Sequence, residues 1–67
     1  MNTRQMQYAV ELAKDRNVSQ TAERLGITQP ALSKHILALE KELGVKLFDR
    51  STNPMRLTAA GEHFTWI

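Results

Sequence analysis

The stretch Ala22-Glu23-Arg24-Leu25-Gly26-Ile27 constrains this chain more than any other. Val18, Ala22 and Leu25 recur at helical spacing before it ends, and Gly26 follows at once. Glycine takes positive φ without strain, so a short helix stops there in a tight turn. Thr28 then offers an N-cap oxygen, and Pro30 suits a first helical turn, whose N–H groups lack intrahelical partners in any case. Leu32, Ile36, Leu39 and Leu43 follow at spacings of four, three and four, one apolar seam that Gly44 ends.

Two helices joined this closely need a small residue at their crossing, a left-handed residue four positions later, and apolar residues to weld them. Ala22, Gly26 and the group Leu25, Ile27, Leu32 and Ile36 meet those needs. An ordinary helical hairpin with Ala and Gly there by chance is the plainer alternative. A helix-turn-helix uses every one of these positions.

The flanking sequence completes the architecture. Met6, Ala9, Val10 and Ala13 fall at i, i+3, i+4 and i+7, widened by Tyr8 and Leu12, which predicts a first helix over Thr3 to Asp15. Arg16-Asn17 breaks that pattern, and Asn17 or Ser19 can cap the second helix. After Gly44, Val45 and Leu47 alternate with Lys46 and Phe48, and Met55 and Leu57 flank Arg56. Two short strands joined by the four-residue loop Ser51-Thr52-Asn53-Pro54 are expected. Thr58 then caps a last helix from Ala59 onward. Helix, helix, turn, helix, hairpin, helix is a mainly α winged helix-turn-helix.

Composition agrees. Of 67 residues, 28 are hydrophobic, and eight Leu and seven Ala outnumber three Val and three Ile, a mix that favours helices. A chain this short makes one small domain with little room for a deep catalytic pocket. Without cysteine, neither disulfides nor thiolate-bound zinc can reinforce it. No long apolar run spans a membrane, and Met1 to Gln5 does not begin a secretory signal, so a cytoplasmic setting is the default expectation.

Charge suggests the partner. Residues 28–39 carry Lys34 and no acid, while residues 46–56 hold Lys46, Arg50 and Arg56 against Asp49, a net +2. An acid-free helix start followed by a basic hairpin suits phosphate-rich duplex DNA. At about 100° per residue, Pro30, Ser33, Lys34, Leu37 and Lys41 face away from the apolar seam. Catalytic alternatives fail on spacing. His35 and His63 lie 28 residues apart without metal-ligating neighbours, and Ser33 and His35 point to opposite sides of one helix. No enzyme, no metal and no cofactor are expected within this chain.

Gln29-Pro30-Ala31-Leu32-Ser33-Lys34-His35-Ile36, Leu39-Glu40-Lys41-Glu42-Leu43-Gly44-Val45-Lys46-Leu47-Phe48-Asp49-Arg50 and Leu57-Thr58-Ala59-Ala60-Gly61 resemble the N-terminal domain of the LysR-type transcriptional regulators. The likeness runs in register along essentially the whole chain. It implies sequence-specific binding of an interrupted palindromic promoter site through Ser19, Thr28, Gln29, Pro30, Ser33 and Lys34. Arg50 and Arg56 match the family's wing arginines. The family often carries Arg and Gln where Lys34 and His35 stand, and a basic residue where Asn53 falls.

The resemblance also divides the chain. Residues 1–57 are expected to form the winged helix-turn-helix, and residues 58–67 the start of a linker helix that pairs two subunits. Phe64, Trp66 and Ile67, apolar and at the end of the sequence, are the expected dimerisation residues. The expectation is therefore the front piece of a longer regulator, whose C-terminal domain would bind a small-molecule effector. A winged-helix domain of the molybdate-responsive type, or a protein–protein interaction module on the same fold, are the alternatives.

Overall fold

The computed structural model describes residues 2–52 and 54–65, of Thr65 only the backbone; the expectations for Asn53, Trp66 and Ile67 lie outside the described residues. The elements are α1 (Thr3–Asp15), α2 (Val18–Leu25), α3 (Gln29–Leu43), β1 (Phe48–Asp49), β2 (Arg56–Leu57) and α4 (Ala59–Thr65). The strands are antiparallel, with Phe48 opposite Leu57 and Asp49 opposite Arg56. This is a three-helix core with a two-stranded wing.

Local capping sets the helix limits. Asn2 and Gln5 cap α1 reciprocally, the Asn2 side chain accepting the Gln5 N–H at 2.8 Å. Asn17, rather than Ser19, caps α2, because its Oδ1 accepts the Gln20 N–H at 2.9 Å. Ser19 sits one residue inside the helix and is exposed. Thr28 caps α3 by accepting the Ala31 N–H at 3.2 Å. All three helices end in a left-handed residue: Arg16 at φ 54°, Gly26 at 72° and Gly44 at 74°.

The core joins α1, α3 and the base of the wing. Ala9, Leu12, Leu32, Ile36 and Leu39 are fully buried, with Ala22, Leu47, Phe48 and Met55 nearly so. Leu43, the last member of the predicted seam, is half-buried. The first helix is turned from its expected face. Met6 is 42% exposed and Val10 half-buried, whereas Ala9 and Leu12 lie inside. Both stripes contain Ala9 and Ala13; the bulk of Leu12 decides which side faces α3.

The hairpin is also shorter than its alternation suggests. Each strand has two residues, and six residues, 50–55, separate them instead of four. The cause lies in α3. Glu40, 4% exposed, accepts the backbone N–H groups of Leu47 at 2.7 Å and Phe48 at 3.2 Å through one carboxylate oxygen. The donor of Leu47 and that of Phe48, the first residue of β1, are thus taken by a side chain, and Val45 is left 46% exposed in the turn.

Thr58 starts α4 as expected, accepting the Gly61 N–H at 3.0 Å. Its own hydroxyl donates to the Lys46 carbonyl and its N–H to that of Leu47. Gly61 is needed for a close approach, since a Cβ there would overlap the Leu47 carbonyl oxygen. Phe64 packs on the domain's own core.

Candidate nucleic-acid interface

The α2–α3 turn is built by hydrogen bonds that glycine permits. With Gly26 left-handed, its N–H reaches the Glu23 carbonyl at 3.1 Å and the Ile27 N–H reaches Ala22 at 3.0 Å. This paired closure satisfies carbonyls that a helix end otherwise leaves open. Ala22, 2% exposed, fills the crossing beneath it.

A second device fixes the angle between α1 and α2. Arg24 donates to Glu11 Oε1 at 2.6 Å, to the Glu11 carbonyl at 3.1 Å, and to Asp15 Oδ2 at 3.0 and 2.8 Å. Thr21, fully buried, donates its hydroxyl to the same Asp15 oxygen at 2.8 Å. The Arg24 guanidinium, then the Lys14 ammonium, hold the Glu11 carboxyl below its ordinary range; Arg24, then the Thr21 hydroxyl, do the same for Asp15. Composition gave no sign of this clamp. Its signal was the spacing of Glu11, Asp15 and Arg24 across a break only two residues long.

On this scaffold the first turn of α3 is presented outward. Gln29, Pro30 and Lys34 are exposed, Ser33 is half-buried, and no acid occupies the turn. The Thr28 hydroxyl is engaged as the cap. One and a half turns further, Leu37 is 48% exposed on the same outward stripe. His35 turns inward, edge-on to Tyr8 with ring centroids 5.1 Å apart.

The wing arginines differ from each other. Arg56 is exposed on β2, facing Asp49 across the ladder. Arg50 points back to α3, its Nη1 3.5 Å from Glu40 Oε1, with about a third of its side chain exposed. Asp49 is occupied by Ser51, whose hydroxyl and N–H hold its carboxyl below the ordinary range, with a lesser contribution from Arg56. Neither composition nor the charge pattern singles out Glu40 as a structural acid. Its position one turn beyond Ile36 and three residues before Leu43 was the available signal, since that places it on the inward face.

Among the described residues no group of His, Asp and Glu could hold a metal, and no helix is long and apolar enough to cross a membrane. The architecture is a winged helix-turn-helix whose second helix starts exposed and free of acids. Residues 3–62 match the family described as "Bacterial regulatory helix-turn-helix protein, lysR family", and the chain belongs to that family. It is 45% identical over 64 residues to the "Probable cat1 operon transcriptional activator" of Acinetobacter lwoffii, covering 96% of this chain and 21% of that protein. The chain thus spans about a fifth of that relative's length. Among solved structures, it resembles the BenM DNA-binding domain in complex with catB site 1 DNA at a TM-score of 0.95 and 35% identity, over 98% of this chain and 71% of that one. It resembles the CbnR DNA-binding domain in its DNA complex at 0.92 and 39%, over 98% and 76%.

Proposed function

We propose that this domain binds duplex DNA sequence-specifically as the N-terminal part of a bacterial transcriptional regulator. The observation that carries the reading is the outward, acid-free start of α3, fixed by the Gly26 closure. In a helix-turn-helix this end of the second helix meets base edges in the major groove. Gln29 is suited to adenine, whose N6 and N7 match its amide, and Pro30 to a thymine methyl group. Ser33 and Lys34 lie one turn on. Ser19, Arg50, Arg56 and Lys46 are assigned to the phosphate backbone. The solved DNA complexes of similar domains support this reading.

Residues 58–67 are proposed to begin a linker helix that pairs two copies on an interrupted palindrome, with Phe64, Trp66 and Ile67 as its dimerisation residues. A small-molecule effector would bind outside these residues, and the setting would be the cytoplasm. Selection from a random duplex pool, followed by anisotropy titrations, tests the reading. Gln29→Ala and Ser33→Ala should relax preference at individual base pairs. Lys46→Ala and Arg56→Ala should weaken all sequences alike and lower the salt slope by about 1 each. Equal loss of specific and non-specific affinity in Gln29→Ala removes the base-reading role.

A further inference from the structure

Three helices of this domain end the same way, and only one of them ends without glycine. α2 and α3 close on Gly26 and Gly44, whereas α1 closes on Arg16 at φ 54° and ψ 30°. A side chain is disfavoured there, and glycine is the low-cost residue. Such outliers point toward function when the side chain is placed for it.

Arg16 is so placed. It is exposed, and among the described residues its guanidinium has no hydrogen-bonded or acidic partner. Together with Asn17, Val18, Arg50, Thr52 and Met55 it lines a cleft of about 280 Å³ between the α1–α2 turn and the wing. Arg16 and Arg50 are the charged residues of that lining, and it includes no acid. The neighbouring acids in sequence are committed elsewhere, Asp15 to Thr21 and Arg24, and Asp49 to Ser51. Arg50 spends one edge on Glu40 at 3.5 Å, which leaves donors of its planar fork for a second anion.

We propose that Arg16 and Arg50 form a paired-arginine site for one backbone phosphate of duplex DNA, bridging the α1–α2 turn and the wing. The proposal rests on the DNA-binding reading above and adds Arg16 to it. A guanidinium fork can give a phosphate two parallel N–H donors, so two arginines lining one cleft can share one anion. Being a backbone contact, it positions the domain without reading sequence.

The site predicts that stability and binding move in opposite directions in a single variant. Arg16→Gly removes the strained side chain and should raise the thermal midpoint by about 4 °C. The same variant should bind a mixed-sequence 16-base-pair duplex about tenfold more weakly, with a salt slope lower by about 1. Arg16→Lys, which keeps the charge, should retain the slope of the parent. Arg4→Gln, which removes one charge from the exposed start of α1, should leave the slope unchanged. A parent chain that binds no duplex at low salt overturns the DNA reading, and this site with it. A parent that binds, with Arg16→Gly matching it in affinity and slope, overturns the site alone. So does an Arg4→Gln variant that loses as much slope as Arg16→Gly.

Discussion

Glu40 holds Leu47: a carboxylate on the inward face of α3 accepts, at 2.7 Å, the backbone N–H that leads into the wing. The same oxygen takes the Phe48 N–H, and the other faces Arg50. One buried side chain thus sets how the wing departs from the recognition helix.

Glu40→Ala leaves two buried N–H groups without an acceptor, so a loss of about 2–6 kcal/mol is expected, at about 1–3 for each unsatisfied donor. Glu40→Gln keeps an acceptor oxygen and should lose less than half as much. Urea titrations with unchanged m-value would measure both. Equal destabilisation by the two variants would assign the effect to charge rather than to the backbone contacts.

Gly26→Val should destabilise the domain by at least about 1 kcal/mol, since a β-branched residue resists positive φ. Space is no obstacle, as nothing lies within 4 Å of a Cβ at this position. Gly26→Asn should cost less, asparagine being the residue that next best tolerates this conformation. Thermal melts of both variants check the order.

Leu32→Ala and Leu39→Ala remove fully buried side chains and should each cost about 2–5 kcal/mol. In a domain this small that approaches the whole stability. Circular dichroism should find both largely unfolded at temperatures where the parent is intact.

The Arg24 clamp should show in acid. Glu11 and Asp15 both have lowered values in the folded state, so their contribution is complete above the ordinary carboxylate values of 4.5 and 3.8. It is lost as pH falls through the lowered ones. Arg24→Gln should therefore melt below the parent at pH 7, with the gap closing toward pH 2.5. A gap that stays constant with pH would place the effect of Arg24 in packing.

Periodicity and turn chemistry made the helices legible. Thr3–Asp15, the Gly26 turn, the Thr28 cap and the inward run Leu32, Ile36 and Leu39 follow from spacing alone, because each is a local property of the chain. The rest was hidden for one physical reason: its partners come from other elements. Alternation at Val45–Phe48 implied a longer strand, but Glu40, seven residues upstream of Leu47, diverts those donors. The rotation of α1 depends on what α3 presents to it, and a single stripe of mixed Met, Val, Leu and Ala does not encode that choice. Of the candidate interface, the exposed first turn of α3 was visible in advance. The inward turn of Arg50 and the role of Arg16 were not, since both depend on residues brought together by the hairpin.

Leu47, Phe48 and Met55 root the wing in the core, while Ser51, Pro54 and Arg56 are exposed on its outer side. The hairpin is therefore a tool with a fixed tang and an exchangeable blade. Around the exposed Ser51 and Pro54 the loop can be lengthened, shortened or recharged at little thermodynamic expense, because exposed loop tips tolerate such changes. The same edits three residues earlier would pull the plug from the interior. On the reading proposed above, rewriting the exposed part of the tip would change how firmly the domain grips the DNA backbone, with base reading by α3 and the three anchoring side chains left untouched.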